Sequence, residues 1–568
     1  MTVDVSVKIG GEAGQGIQSV GSLLAEVCRE SGFYIMAIND FESRIRGGHS
    51  FFQIRISDRP IQAPASRLDL LIGLNRETFD LHNRELNNKG LAIIEGETGR
   101  RDKKFMEIPF KNLAKQFGRA IYSNTVAAAS CLCLLGAPLD IVQAVLSQQF
   151  KDKPSEVIEN NLKAAEFGYE AVAGVDFSSR PLANPSPPKG MLMEGAKALA
   201  LGAIASDCRV AAFYPMSPAT SILSHMNAFS KELPLVVEQA EDEIAAVNMA
   251  IGASFAGVRA MTATSGGGFC LMTEGLGLAA ISETPIVIID AQRPGPATGL
   301  PTRTAQGDLN FVIHASQDDF PRFVLAPGTP EEAFSLTQKA FYLSDKYQVP
   351  AIVLVDQYLT DSLYTLEKPF SAPKSIERWI VEDKDMDSPK DYKRFALTHS
   401  GISPRAIPCA GNALVVVSSD EHTEEGHMTE ESRHRNAMVN KRNAKLPSMT
   451  KEMSTPSLMY PGAKTLLVGW GSTAGAIKEA VLMLRDKKRD VGCMIFTDLW
   501  PFPIEKIKPL ISGRTGSMWM VEQNSTAQLG QIILSQTGVA WTHTLLKYDG
   551  RPFYPQEIVD AVKNQEAN

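Results

Sequence analysis

Residues 190–218 read GMLMEGAKALALGAIASDCRVAAFYPMSP, and residues 235–246 read LVVEQAEDEIAA. The first stretch predicts a helix from Gly190 to about Ala205, a strand over Val210–Phe213 and a second helix after Pro218. The second predicts a strand over Leu235–Val237 and a long Ala-rich helix from Glu241. Strands that alternate with helices argue for a parallel sheet covered on both faces. Val258–Ala263, Ile286–Asp290 and Ile352–Asp356 would complete that sheet. Ligands in such sheets favour the loops at strand C-terminal ends, and a Gly- and Pro-rich loop, Arg293–Gly307, sits there.

The same alternation recurs on either side. Toward the N-terminus, a strand over Val3–Ile9 leads through Gly10-Gly11-Glu12-Ala13-Gly14-Gln15-Gly16 into an amphipathic helix ending near Arg29, with strand-like runs at Phe51–Ile56 and Leu68–Ile72. The run SSRPLANPSPPK (178–189) sustains neither helix nor sheet pairing and reads as a linker. Toward the C-terminus, Lys464–Gly469 reads as a strand, Gly471-Ser472-Thr473 as a turn and helix cap, and Val491–Phe496 and Ser517–Val521 as strands between helices. Residues 371–460 are polar and irregular, an ordered connector rather than a domain. A chain of 568 residues exceeds one hydrophobic core, since cores stop growing near roughly 250 to 300 residues. The expected fold class is α/β with three α/β domains: 1–180, 190–370 and 461–568, with the connector at 371–460.

Composition narrows the function classes. Net charge is -7 without a concentrated basic stripe, which argues against nucleic-acid binding. No apolar run approaches the roughly 20 residues of a membrane span, and the N-terminus lacks a signal-peptide pattern, so a cytoplasmic protein without a membrane partner is expected. The seven cysteines are scattered, with only Cys131 and Cys133 close together; that is neither a disulfide framework nor a cluster motif. No metal ligand set is assigned: His422 and His427 lack the one-face spacing of a zinc helix.

Four stretches carry chemistry. In Tyr214-Pro215-Met216-Ser217-Pro218, two prolines stiffen a turn directly after a strand and leave the Ser217 hydroxyl between them; a helix-capping turn is the alternative. Glu238, Glu241, Asp242 and Glu243 cluster where a strand ends and a helix begins, a place where carboxylates also serve simply as caps. Thr264-Ser265-Gly266-Gly267-Gly268 allows close approach of a flat ligand, or of a phosphate. Arg293 opens a loop stiffened by Pro294, Pro296 and Pro301, and its guanidinium suits a carboxylate or a structural ion pair.

Taken together, these stretches resemble the 2-oxoacid:ferredoxin oxidoreductases. Tyr214–Pro218 is similar to the family's Tyr-Pro-Ile-Thr-Pro signature, with Met216 for Ile and Ser217 for Thr; Gln292-Arg293-Pro294-Gly295-Pro296-Ala297-Thr298-Gly299-Leu300-Pro301-Thr302 is similar to its substrate loop. The N-terminal segment resembles the family's gamma domain, the middle one its thiamine-diphosphate pyrimidine-binding domain and the last a transketolase C-terminal-like domain. A Rossmann nucleotide site is the rival for the N-terminal glycines, whose spacing is not Gly-x-Gly-x-x-Gly. The resemblance implies that Glu243 activates thiamine diphosphate, with Glu241 as fallback. It further implies that Gly266 and Gly267 approach the cofactor and that Tyr214, Ser217, Arg293 and Thr302 bind substrate; Arg44 and Arg46, in a Gly-flanked loop, are expected to contact coenzyme A phosphates, with an intersubunit ion pair as the alternative.

The implied reaction is oxidative decarboxylation of a 2-oxoacid to an acyl-CoA with reduction of ferredoxin, reversible as in a reductive TCA cycle. Fusion of the gamma-like domain, Met216-Ser217 and Thr398-His-Ser-Gly-Ile-Ser-Pro-Arg405 resemble the two-subunit 2-oxoglutarate branch, a 2-oxoglutarate synthase. Pyruvate and branched-chain oxoacids are the alternatives, and a non-catalytic structural subunit or a stand-alone decarboxylase would be of another class. This chain lacks a Gly-Asp-Gly diphosphate motif. The resemblance therefore puts the diphosphate site, Mg²⁺ and a [4Fe-4S] cluster on a beta subunit, in an α2β2 heterotetramer active only when assembled.

Overall fold

A computed structural model describes residues 3–43, 47–102, 104–386 and 388–567, and the chain forms two compact units. The first comprises Met1–Glu194, Asp361–Pro369 and Tyr554–Asn568. Its eight-stranded mixed sheet runs Phe105–Ile108, Leu86–Glu95, Leu68–Gly73, Asp4–Glu12, His49–Ser57, Tyr34–Asp40, Leu363–Leu366, Met191–Glu194. The first four strands are parallel and the rest antiparallel. Val7, Ile9, Leu24, Val27, Leu132 and Leu135 belong to its core between sheet and helices. The strand expected over Val3–Ile9 continues to Glu12, and the helix that follows is Ile17–Glu30.

One expectation fails here. The helix predicted from Gly190 begins at Gly195, and Met191–Glu194 is instead a strand whose Met193 pairs with Tyr364. The pairing edge lies about 170 residues away in sequence, so local periodicity carries no signal of it.

The second unit, Gly195–Thr360 and Phe370–Phe553, holds two sheets. One runs Asp498–Trp500, Phe323–Leu325, Pro350–Asp356, Ile286–Gln292, Arg259–Thr264, Cys208–Phe213, Val236–Gln239; every pair is parallel except the first. The other runs Ser457–Met459, Val491–Phe496, Thr465–Trp470, Ser517–Glu522, His543–Leu546, also parallel after an antiparallel first pair. Ile288, Ile352 and Leu354 of the first sheet share one core with Val468, Trp470 and Phe496 of the second. The chain is thus α/β with three sheets.

The connector contains two helices that the sequence conceals, Ser432–Asn443 and Leu446–Glu452. They bury few residues, Met438 and Met449 beside Lys441 and Arg442, so no apolar period marks them. Lys441 Nζ and Lys445 Nζ bind the two oxygens of Glu283 at 2.5 and 2.6 Å, and Arg394 donates to the Glu283 carbonyl at 2.7 Å. Glu421 is gripped by Arg435 and Arg442, and His422 is fully buried against Phe395, while Asp420 and His427 stay exposed. Arg405 is likewise interior, donating to Ser254 O and lying beside Asp345. Among the described residues all seven cysteines are free and no helix is long and apolar enough to cross a membrane.

Burial alone would raise the pKa of Glu283; Lys445, Lys441 and Arg394 outweigh it and hold the carboxyl far below the usual range. A depressed carboxylate pKa contributes stability above its unfolded pKa that is lost as pH falls toward the folded one. Glu283→Ala leaves two lysines buried without an anion, and a loss of about 3 to 5 kcal/mol is expected. Chemical denaturation at neutral pH measures it; a variant as stable as the parent would remove the cluster from any account of how the connector is held.

Candidate active site

The four chemical stretches converge at the C-terminal ends of Cys208–Phe213, Val236–Gln239, Arg259–Thr264 and Ile286–Gln292. The cluster of carboxylates resolves there into separate tasks. Asp242 stands before helix Glu243–Phe255 in extended conformation, and its side chain accepts the Ala245 N–H at 2.7 Å. Glu238 and Glu241 are exposed. With the cap supplied by Asp242, Glu243 turns inward, 2% exposed, and its Oε1 has no hydrogen-bond partner. Burial raises its pKa, its own backbone N–H opposes this, Asp242 adds to the rise, and Thr264 and Arg293 pull it down.

The glycine run is fitted around these groups. A Cβ at Gly268 would collide with Thr264 Oγ1 and the Glu243 carboxylate, and one at Gly266 would lie 2.5 Å from Asp308 Oδ2. Gly267 has no such neighbour: its nearest atom is Ala297 O at 3.7 Å. Gly268, which sequence reasoning did not single out, is therefore the glycine that lets Glu243 into the interior. Ser265 Oγ, at the start of the helix Gly266–Ile281, is buried without a partner.

Arg293 ties two stretches together by donating from Nη1 to the Ser217 carbonyl at 2.7 Å, while its Nε is buried and unpartnered. Burial lowers its pKa, against Asp308 and Glu243, which raise it. Tyr214 and Ser217 are exposed, and Met216 Sδ accepts from Thr264 Oγ1 at 3.8 Å. The arginine loop turns back on itself through the bond from Leu300 N to Pro294 O at 3.0 Å; Gly299, at φ +53°, has no room for a Cβ against that carbonyl. Thr302 is buried further along. The far end of the loop is clamped by Gln306, which exchanges bonds with Gln523 (2.8 and 3.0 Å) and donates to Trp470 O at 2.7 Å. Ser472, expected to cap its helix, instead donates to Asp356. Arg44 and Arg46 lie outside the described residues. Among the described residues no group of three or more His, Cys, Asp or Glu is arranged to hold a metal ion.

A parallel sheet with a buried carboxylate at a helix start and an arginine loop beside it defines a class that comparison with known proteins makes specific. Residues 201–441 match the family described as "Pyruvate flavodoxin/ferredoxin oxidoreductase, thiamine diP-bdg", so a thiamine-diphosphate-binding domain is present. Residues 6–171 match "Pyruvate ferredoxin/flavodoxin oxidoreductase", and 463–558 match "Pyruvate:ferredoxin oxidoreductase core domain II". A 2-oxoacid:ferredoxin oxidoreductase subunit alpha of Sulfolobus sp is 32% identical over 98% of this chain and 96% of its own length. The 2-oxoglutarate synthase subunit KorA of Methanothermobacter thermautotrophicus is 30% identical over 65% of this chain and 97% of its own. The solved 2-oxoglutarate:ferredoxin oxidoreductase of Magnetococcus marinus, with 2-oxoglutarate, coenzyme A and succinyl-CoA bound, is 30% identical, covers 99% of both chains and superposes with a TM-score of 0.90. The chain belongs to the 2-oxoacid:ferredoxin oxidoreductase family, among its alpha subunits.

The two neighbouring glycines make different predictions. Gly268→Ala is expected to displace Glu243 and lower the melting temperature of the protein without any ligand. Gly267→Ala is expected to leave the melting temperature unchanged or slightly raised, as a helical Gly→Ala change commonly adds about 0.4 to 1 kcal/mol. Thermal denaturation of both variants checks this; equal destabilisation would mean that the run is packed for the fold alone.

Proposed function

We propose that this chain is the large subunit of a CoA-dependent enzyme that oxidatively decarboxylates 2-oxoglutarate to succinyl-CoA and CO₂ and reduces ferredoxin. The observation that carries the reading is the meeting of the Arg293 guanidinium with the Ser217 turn beside the buried, unpartnered Oε1 of Glu243. The choice of 2-oxoglutarate is supported by the names of the KorA relative and the Magnetococcus marinus enzyme. Thiamine diphosphate fits the site on two counts: the carboxyl oxygen left open on Glu243 and the uncrowded face of Gly267.

When bound, the cofactor supplies a sink for the electron pair released as CO₂ departs. The chain's own residues prepare that event. Glu243 Oε1 accepts a hydrogen bond from a ring nitrogen of the aminopyrimidine; its raised pKa keeps that proton shared instead of surrendering it to water. Arg293 takes the 2-oxoacid carboxylate, and Tyr214, Ser217 and Thr302 shape the acyl pocket. Gly266 and Gly267 allow the cofactor to approach. In this reading the diphosphate, Mg²⁺ and a [4Fe-4S] cluster belong to a beta subunit of a cytoplasmic α2β2 assembly, and Arg44 and Arg46 serve coenzyme A. The proposed domain layout is 1–180, 190–370 and 461–568, with 371–460 as connector.

The test is co-expression with the beta subunit and CoA-dependent reduction of a viologen dye with 2-oxoglutarate, pyruvate and 2-oxoisovalerate. Turnover of 2-oxoglutarate is expected, with Glu243→Ala reducing kcat by roughly 10²- to 10⁴-fold. A fully loaded complex that turns over none of the three acids would favour a non-catalytic subunit.

A further inference from the structure

The C-terminal sheet reverses its strand order between Thr465–Trp470 and Ser517–Glu522: after the first of these strands the chain turns to Val491–Phe496 on one side, and after the second to His543–Leu546 on the other. In open α/β sheets the crevice beyond the C-terminal ends of two such strands is where ligands bind. Here the chain itself takes that place. Gln306, 0% exposed, reaches these strand ends from the arginine loop with all four of its polar atoms bonded. Its backbone N–H donates to Gln523 O at 2.8 Å, and its Oε1 accepts the Gln523 N–H at 3.0 Å. Its Nε2 donates to Trp470 O at 2.7 Å, and its carbonyl accepts from Asn524 Nδ2 at 3.1 Å.

The receiving groups are themselves fixed. Glu522, fully buried, accepts from Trp470 Nε1 at 3.1 Å, from Asn524 Nδ2 at 2.9 Å, and from the backbone N–H groups of Leu529 and Gly530 at 3.0 and 3.1 Å. A buried network satisfied in this way is rigid. The docking extends to both sides of Gln306. Thr304 N–H donates to Gly550 O at 3.2 Å, and Gln528 Nε2 donates to Gly307 O at 2.7 Å while its Oε1 accepts the Asn310 N–H at 3.0 Å. Gly550, at φ +82°, lies so close to the loop that a Cβ there would meet Arg303 Cβ at 3.0 Å. Arg293 is held from elsewhere: Gln292, which precedes it, donates from Nε2 to Val355 O at 3.0 Å on the first sheet, and Arg293 itself binds the Ser217 carbonyl.

We infer that the switch-point crevice of the C-terminal sheet is the receptor for the arginine loop and that Gln306 is a positioning residue for the choice of acid, a role that rests on the reading of Arg293 and Thr302 given above. All 2-oxoacids share the carboxylate and differ only in the chain beyond the carbonyl. The loop meets these two parts with two separate anchors. The first sheet and the Ser217 turn fix Arg293 for the shared carboxylate. The C-terminal sheet fixes Thr304 and Gln306, and through them Thr302, for the part that varies. Releasing Gln306 therefore shifts the acyl pocket and leaves the carboxylate ligand in place.

In the assembled enzyme, Gln306→Ala is expected to lower kcat/KM for 2-oxoglutarate by roughly tenfold while changing that for pyruvate by less than about twofold, so that the spread among 2-oxoglutarate, pyruvate and 2-oxoisovalerate narrows. Gln528→Ala, at a partly exposed helix start, removes only the bonds to Gly307 and Asn310 and should act in the same direction by roughly threefold, which keeps the test open if Gln306→Ala does not fold. A merely structural contact would lower turnover of all three acids by the same factor, and that result overturns the selecting role. Amide hydrogen exchange of the unliganded complex supplies a readout without substrate. Exchange over residues 300–307 should quicken in both variants while that of Ile286–Gln292 stays as in the parent; a loop that exchanges as slowly as before overturns the docking. A complex that turns over none of the three acids overturns the assigned reaction, and the selecting role with it, while the exchange result still decides the docking, so the two failures are told apart.

Discussion

Everything at the candidate site depends on one uncomfortable fact, a carboxylate in the interior with an oxygen that nothing satisfies. Leaving a buried polar group unpaired costs on the order of 1 to 3 kcal/mol, more when it is charged. Glu243 meets that cost because its surroundings are fixed by other means. Asp242 caps the helix, so Glu243 is free of that duty; Gly268 clears the space, and Thr264 and Arg293 moderate the rise in its pKa. An oxygen left open in a site this well built is a place reserved for a donor that the fold does not supply.

The contrast with the connector separates structural charge from functional charge. Glu283 is as buried as Glu243, yet both its oxygens are held by lysines and its carbonyl by Arg394. Its pKa is driven down where that of Glu243 is driven up. Both side chains are closed to solvent, and what sets them apart is their partners. Glu283 uses its charge to fasten the Ser432–Asn443 and Leu446–Glu452 helices, whereas Glu243 keeps its own available.

How far the sequence could be read follows the same line. The strands at Val258–Ala263, Ile286–Asp290 and Val491–Phe496 were legible because buried parallel strands write themselves as short apolar runs. Met191–Glu194, Phe323–Leu325 and Asp498–Trp500 were not, since each is short and owes its existence to a partner distant in the chain. The connector helices escaped because they bury few residues, and on Ser432–Asn443 two of the three are cationic. At the site, Glu243 and Arg293 were visible only through the motifs that contain them. Asp308 left no local mark: only three dimensions turn its side chain toward Gly266 and away from the Leu309–His314 helix it precedes.

The loop from Arg293 to Asp308 shows why the second unit needs both of its sheets. Arg293 at one end holds the Ser217 carbonyl, and Gln306 at the other is locked to Gln523 and Trp470 on the C-terminal sheet. A Pro- and Gly-rich loop gains no helix or sheet hydrogen bonds of its own, so its shape has to be imposed from its ends. Gln292 and Gln306 do this with side-chain amides that reach backbone atoms, a mode of anchoring indifferent to the residues between them. Between those ends the loop is steadied by Leu300 N on Pro294 O and Thr304 N on Gly550 O. The Arg293 guanidinium thereby stays where the sheet puts it, held against the Ser217 carbonyl.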